Sequence, residues 1–513
     1  MGLSVAARFR LDPSTRRFGR SGEVLLGGSP TRMLRLSAAG ARLVDRLTAD
    51  RSDTGFSTTA PAGAPVHRSA GEAELIDRLV DAGVLHPVAP VAAPADPGDE
   101  VTVVVPVRDD PDGVARLLDS LSVVDGVAEV VVVDDGSSEP ARLAAVVAAA
   151  ADGPDRGDAV PTRLLRFEAS LGPGAARNAG AALAQSDLVA FVDADCVVTP
   201  GWLVPLRWHL RAGQVAIVAP RVEAAPAREP GRSAALIGRY ERFRSPLDMG
   251  AVPGPVGPGR RIGYLPSAAM LVRADALDRL GGFDESLRVG EDVDLVWRAT
   301  EAGLPVRYEP AAVVRHEARG NLVSWWRQRT SYGSSAAGLD ARHPGAVAPA
   351  RLSWESAAVW AACVAGAPLV GAAVVGWSTV RLRRKVPAVP TTEAVRLAAQ
   401  GHLSAGRQLA RCSIRVWWPV TLVAASRSRR ARWVAAAGLA VSVLDAQLDA
   451  RRSGLPDDTA PALGVAQPLD AVTSGVLAVV DDLAYGAGLW QGCWRARSPR
   501  ALLPAISRPQ PAG

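Results

Sequence analysis

Leu188-Val-Ala-Phe-Val-Asp193-Ala-Asp195 is an apolar run that ends in two carboxylates one residue apart. Five apolar residues in a row predict a buried strand, and the two-residue period of a strand turns Asp193 and Asp195 to the same side. There they can share one hard divalent cation, on which a diphosphate can dock. The spacing alone does not single the pair out, because it recurs at Asp110 and Asp112 and at Asp292 and Asp294. Only the copy behind Phe191 and Val192 closes a buried strand.

Upstream, Val101-Thr-Val-Val-Val-Pro106 predicts a strand, 111–121 a helix and Glu129-Val-Val-Val-Val-Asp134 a second strand. An Ala-rich helix over 141–151, a strand over 163–167 and a helix over 174–185 then lead into Leu188. Continuous apolar strands alternating with helices predict an α/β fold with a parallel, doubly covered sheet and right-handed crossovers. Ligands on such sheets sit beyond the carboxyl ends of the strands. Asp134, Asp135, Asp193 and Asp195 all fall there.

Six short motifs follow one another in order: Val-Val-Pro106-Val-Arg, Val-Asp134-Asp135-Gly-Ser, Gly-Pro-Gly-Ala-Ala-Arg177-Asn178-Ala-Gly, Asp193-Ala-Asp195, Gly-Gly-Phe283-Asp-Glu and Gly-Glu291-Asp292-Val-Asp-Leu. In this order they resemble family 2 glycosyltransferases of the type A, Rossmann-like nucleotide-diphospho-sugar transferase fold. The resemblance covers residues 101 to about 317 and implies a metal-dependent transfer of a hexose from a UDP-sugar to an acceptor hydroxyl. It further implies that Asp135 holds the nucleobase, with Asp134 beside it and Pro106 shaping the first loop, although Asp-Gly-Ser is also ordinary turn chemistry.

Arg177, on a glycine-bearing loop that enters a helix, would face a phosphate or sugar oxygen, or else lie on a solvated helix face. Asp195, with Asp193 on ribose or metal and His316 as a further ligand, would hold Mg²⁺ or Mn²⁺ against the leaving diphosphate. Asp292 would be the catalytic base, with Glu291 beside it toward the donor sugar; a single carboxylate implies inversion. Glu291 and Asp294 also read as acids favoured in a first helical turn. Trp325, Trp326 and Arg327 offer an acceptor-sugar wall or a membrane-surface contact. The Gln-x-x-Arg-Trp signature of processive relatives is not in that order here.

The rest of the 513 residues frames this domain. The charge is +6, carried by arginine with Lys385 as the single lysine. Scattered arginines without a helix-turn-helix, zinc or RNA-binding motif give no nucleic-acid reading. Cys196, Cys363, Cys412 and Cys493 lie far apart, which points to a reduced, cytoplasmic compartment. Arg8, Arg10, Arg16, Arg17 and Arg20 interrupt the N-terminus, so it does not read as a signal peptide.

Residues 1–88 resemble small winged-helix modules that bind precursor peptides, with Ser37 as an N-cap and Gly83 as a helix stop, or else form a packing subdomain. Residues 89–100 read as a linker, 101–340 as the transferase domain and 341–513 as a helical, apolar C-terminal region. Within that tail Ser356 to Val380 is uncharged, about 24 residues long, and followed by Arg381, Arg383, Arg384 and Lys385. It predicts a span, or a buried core helix, at the inner face of the cell membrane.

The longer architecture resembles the mycofactocin-system glycosyltransferases. That implies UDP-glucose as donor, a peptide-derived redox cofactor or its precursor as acceptor, and a β-linked glucose chain as product. A membrane-associated transferase acting on a lipid-linked sugar or cell-wall glycan, and a non-catalytic sugar-nucleotide or peptide-binding scaffold, are the alternatives.

Overall fold

The computed structural model describes residues 8–48, 69–89, 98–151, 160–212, 215–226, 231–387, 389–452 and 469–507. Most of the expected linker lies outside them. The chain divides into two units, one formed by 1–223 with 246–317 and the other by 224–245 with 318–513.

The first unit begins with a small module. Strands β1 (Arg8–Leu11), β2 (Arg16–Phe18), β3 (Val24–Gly27) and β4 (Arg32–Arg35) precede helices α1 (Ala38–Thr48) and α2 (Ala70–Asp81), and β5 (Leu85–Val88) returns to pair with β1. β2, β3 and β4 form an antiparallel sheet, the wing of this winged-helix-like arrangement. Phe9, Leu25, Val44, Ile76, Leu79 and Leu85 fill its core. The Ser37 hydroxyl accepts from the Gly40 N–H at 3.1 Å, and Gly83 turns left-handed just past α2. The module is bonded to the transferase loop that follows it in space: Arg260 donates to the carbonyls of Ser29 (3.0 Å) and Asp81 (2.7 Å), and Arg261 donates to Asp12 at 2.9 Å.

The transferase domain continues through β6 (Val101–Val107), α3 (Pro111–Leu121), β7 (Val127–Asp134), α4 (Pro140–Ala151), β8 (Thr162–Arg166), α5 (Pro173–Ala182) and β9 (Leu188–Val192). After them come β10 (Cys196–Val198), α6 (Leu203–Ala212) and β11 (Ile217–Ala225). Helix α7 (Arg232–Arg244) belongs to the second unit, and the chain then returns for β12 (Gly254–Pro255), β13 (Ala269–Arg273), α8 (Ala274–Leu280), α9 (Glu291–Glu301) and β14 (Val306–Glu317).

The main path of the sheet runs β10-β14-β11-β13-β9-β6-β7-β8, with β12 pairing β14. The four strands β9, β6, β7 and β8 are parallel, as their βαβ pattern predicts. Beyond β9 the pairs β9–β13, β13–β11 and β14–β10 run antiparallel, so the sheet is mixed rather than wholly parallel. Val103, Val105, Val130, Val132 and Ala190 of the parallel strands are buried in one core cluster with Leu117 and Leu121 of α3. Each fully buried valine or leucine contributes about 1.5–3 kcal/mol.

The second unit is helical: α7, α10 (Leu322–Ser334), α11 (Ala336–Arg342), α12 (Trp354–Ala365), α13 (Pro368–Lys385), α14 (Thr391–Arg415), α15 (Trp418–Arg427), α16 (Arg429–Arg452) and α17 (Ala471–Ala496). Strands β15 (Arg351–Ser353) and β16 (Ala505–Ser507) pair in parallel. Helices α10 and α17 approach on glycine. A Cβ on Gly333 would lie 2.0 Å from the Tyr485 carbonyl, and one on Gly488 would lie 1.8 Å from that of Thr330.

The uncharged stretch 356–380 is not one span. Gly366 takes a left-handed turn and Pro368 opens a new helix, dividing the run between α12 and α13. Two other helices, Arg429–Ala450 and Ala471–Ala496, are long and apolar enough to cross a membrane by length and composition. Half of the apolar window of the latter is buried inside its unit, where Asp482 accepts from Arg415 at 2.7 Å.

Candidate active site

β9 delivers Asp193 to the edge of the sheet, and a tight turn that bonds the Cys196 N–H to the Asp193 carbonyl (3.0 Å) starts β10. β10 pairs with β14 so that Cys196 faces His316, and the Glu317 N–H donates to the Asp195 carbonyl at 3.0 Å. This ladder sets His316 Nε2 3.3 Å from Asp195 Oδ2. Asp193 turns to Arg177 instead, accepting from Nη2 at 2.7 Å. Among the described residues no group of three His, Cys, Asp or Glu stands close enough to hold an ion by itself. Asp195 and His316 are thus brought together, with both Asp193 and Asp195 still partly open to solvent. A carboxylate oxygen beside an imidazole nitrogen fits a divalent cation whose coordination is completed by water or phosphate oxygens.

Helix α9 opens with three acids that have three different surroundings. Glu291 is buried and accepts from Arg177 Nη1 at 2.7 Å. Asp292 is half-buried, and its two oxygens accept from the backbone N–H groups of Ser267 (3.0 Å) and Val293 (2.8 Å). Asp294 is buried and pairs with Arg298 at 2.7 Å. Only Asp292 combines orientation by fixed donors with access to solvent. Burial and the neighbouring Asp292 push the Glu291 carboxyl up, and Arg177 pulls it back. Burial likewise pushes Asp193 up against the pull of Arg177, while Asp193 and Glu291 keep the buried guanidinium charged.

Asp134 and Asp135 do not present free oxygens. Asp134 accepts from the Ser137 N–H (2.8 Å) and from Arg166 (2.6 Å). Asp135 accepts from the N–H groups of Leu171 (2.6 Å) and Gly172 (3.1 Å) and from the Ser170 hydroxyl (2.7 Å). Four lone-pair sites are consumed by the loop before α5, counting the shared Gly172 bond. Pro106, opposite Val133, is half-buried at the end of β6. Arg177, expected on a donor oxygen or a solvated helix face, is 3% exposed with both terminal nitrogens on carboxylates.

The aromatic pair beyond β14 is split. Trp325 is wholly buried in the helical unit, its indole N–H donating to Glu241 at 3.0 Å and its ring edge-on to Tyr240 at 5.7 Å. It has no face to offer a sugar. Trp326 and Arg327 are exposed.

Sequence reasoning missed Ser267, which orients Asp292, and Arg166 and Ser170, which occupy the first acid pair. They lie in loops or at a strand end, with no periodicity to mark them. Asn178 carried a signal, its place beside Arg177 in Ala-Arg-Asn-Ala-Gly. Its amide donates to the Phe283 carbonyl (2.9 Å) and accepts from the Phe283 N–H (2.8 Å).

Residues 102–259 match the model of glycosyl transferase family 2, and residues 188–444 match that of glycosyl transferase family group 2. The pre-mycofactocin glycosyltransferase of Mycobacterium tuberculosis is 39% identical over 94% of this chain and 95% of its own length. The succinoglycan biosynthesis protein ExoU of Rhizobium meliloti is 33% identical over 45% of this chain and 65% of its own. A solved mannosyltransferase from Pyrobaculum calidifontis, in complex with GDP-Man and Mn²⁺, covers 69% of this chain and 88% of that one at 15% identity, with a TM-score of 0.36. Near-full-length identity to the Mycobacterium tuberculosis relative and two overlapping family matches together show that the chain belongs to glycosyl transferase family 2.

Proposed function

We propose that this protein is an inverting glycosyltransferase that moves glucose from UDP-glucose to pre-mycofactocin or its precursor peptide, building a β-linked oligoglucose chain. The observation that carries the reading is Asp292, a solvent-reaching carboxylate steered by two backbone donors on the same sheet edge as Asp195 and His316. Asp292 takes the proton of the acceptor hydroxyl as that oxygen bonds to the anomeric carbon. The bond from that carbon to the diphosphate oxygen breaks on the opposite face, and the electron pair leaves with UDP. Asp195 and His316 are the residues that would hold Mg²⁺ or Mn²⁺, which would supply Lewis-acid stabilisation of the leaving diphosphate.

Asp193 meets the donor with the oxygen that Arg177 leaves free. Asp134 and Asp135 shape the nucleobase pocket through the loops they fix, and Pro106 lines it. Trp326 and Arg327 are acceptor contacts, and the winged-helix-like module binds the peptide. The near-full-length relative named for pre-mycofactocin supports this acceptor.

Leu369, Val370 and Trp377 of α13, Leu422 and Val423 of α15 and Trp433 of α16 are exposed. With the arginines of α13 and α16 they favour a second reading, a membrane-surface enzyme with a lipid-linked acceptor. The test incubates purified protein with Mn²⁺ or Mg²⁺, UDP- and GDP-sugars, and either pre-mycofactocin or polyprenyl-linked sugars, reading hexose additions by mass. Repeated hexose increments on pre-mycofactocin from UDP-glucose support the first reading. Modification of the lipid acceptor alone replaces it with the second.

A further inference from the structure

Arg177 sits between carboxylates from two stretches of chain that are separate in sequence, the end of β9 and the start of α9. Nη2 donates to Asp193 Oδ1 and Nη1 to Glu291 Oε1, each at 2.7 Å. Its guanidinium lies over the Phe283 ring, 5.5 Å from the centroid, and Phe283 meets Phe191 edge-on at 5.0 Å. The next residue, Asn178, clips the main chain of Phe283 through both its N–H and its carbonyl. Two adjacent side chains on α5 therefore tie together the end of β9, the turn that carries Phe283 and the first turn of α9. Asp195 lies two residues past the first attachment and Asp292 one residue past the last.

We propose that the Arg177–Asn178 pair is a positioning device that holds the metal-side strand end and the base-bearing helix in register, and that Arg177 does not bind the donor phosphate. This deepens the reading of Asp195 and Asp292 given above and rests on it. A planar guanidinium satisfies two separately placed carboxylates in one fixed geometry, which a single ammonium cannot reproduce. Both terminal nitrogens are committed and the side chain is 3% exposed, so an approaching phosphate meets neither. What the bridge fixes is the placement of α9 against β9. An error of about 1 Å in such placement costs about 100-fold in rate.

The experiment compares full-length wild type with Arg177→Gln, Arg177→Lys, Glu291→Ala, Asn178→Ala and the Arg177→Gln/Glu291→Ala double variant. Turnover and donor KM are measured together with UDP affinity by calorimetry, Mn²⁺ binding by electron paramagnetic resonance and thermal melting. Arg177→Gln and Glu291→Ala are each expected to lose about 100-fold in kcat, with the double variant no worse than either and UDP affinity within about threefold of wild type. Arg177→Lys keeps one of the two bonds and recovers about tenfold; if Arg177→Gln does not fold, the lysine and Glu291 variants carry the test. Asn178→Ala lowers kcat without weakening Mn²⁺ binding, because it holds only the turn.

UDP affinity that falls in step with activity, with additive losses in the double variant, would place Arg177 on the donor and overturn the proposal. So would unchanged turnover in Arg177→Gln. Asp292→Asn is the control on the underlying reading: wild-type turnover in that variant refutes the base assignment whatever Arg177 does, whereas lost turnover there beside full activity in Arg177→Gln refutes the register device alone.

Discussion

Two acid pairs stand at the carboxyl ends of parallel strands on either side of β6, Asp134 with Asp135 at the end of β7 and Asp193 with Asp195 after β9, and they have opposite fates. The first pair is almost wholly buried, and its oxygens are consumed by Arg166, Ser137, Ser170 and the amides that open α5. The second keeps oxygens at the surface, one carboxylate leaning on a buried arginine and the other beside a histidine. Residue type and topological place are the same in both. The difference lies in burial, because the loop before α5 closes over the first pair with its own donors, and a carboxylate that has met its donors inside the protein has little capacity left for a ligand.

The sharpest test of this contrast lies at Asp292, the acid that the second site relies on for proton removal. Asp292→Asn keeps the shape and removes the base, and kcat is expected to fall by about 10²–10⁴ with the melting temperature little changed. Turnover within tenfold of wild type would break the assignment. Asp195→Asn comes next: about 10²–10³ in kcat, with loss of Mn²⁺ binding measured in the absence of donor. Unchanged Mn²⁺ affinity would separate the second acid pair from any metal.

Asp135→Ala belongs to the first pair and should behave differently. It strands the buried donors before α5, and chemical denaturation should show a stability loss of about 1–3 kcal/mol. A variant of native stability that binds UDP weakly would instead make Asp135 a direct ligand and erase the contrast between the pairs.

The smallest effect concerns pH and the joint of the N-terminal module. Burial pushes the Asp12 carboxyl up, but His86, Arg261 and Ser14 outweigh it and hold it well below the usual carboxylate range. Burial also pushes His86 down, against the pull of Asp12. Both folded-state values lie below the unfolded ones, so the unfolded chain binds more protons and stability declines as pH falls. The histidine contribution goes first, from about pH 6.5 downward, and the aspartate contribution from about pH 4. Between pH 7.5 and 5.5 the melting temperature should drop by about 2 °C, and His86→Gln should flatten that slope. A flat wild-type profile would show that the joint does not sense pH.

Much of the transferase core was legible because its signals are local. Continuous valine runs specify buried strands, Pro111 and Pro140 open helices where proline costs nothing, and the alternation of the two elements specifies the parallel joint β9-β6-β7-β8. The acids at strand ends follow from the same pattern. The part of the sheet beyond β9 was not legible, because its strands find their neighbours across long sequence separations with no alternation of strand and helix to mark them. The split of 356–380 at Gly366 and Pro368 was readable in principle but masked by the uniform apolar composition around it.

Strand period and turn chemistry act over a few residues, so the parallel strands, the helices between them and the carboxylates at their ends could be read from the chain alone. Which of those carboxylates are sunk among internal donors and which stay partly open to solvent was set by packing. It drew Arg177 inward between Asp193 and Glu291, set Ser267 under Asp292 and sank Trp325 beneath Tyr240. A hydrogen bond needs its two partners within about 3 Å, and for groups separated by tens to over a hundred residues only packing brings them there.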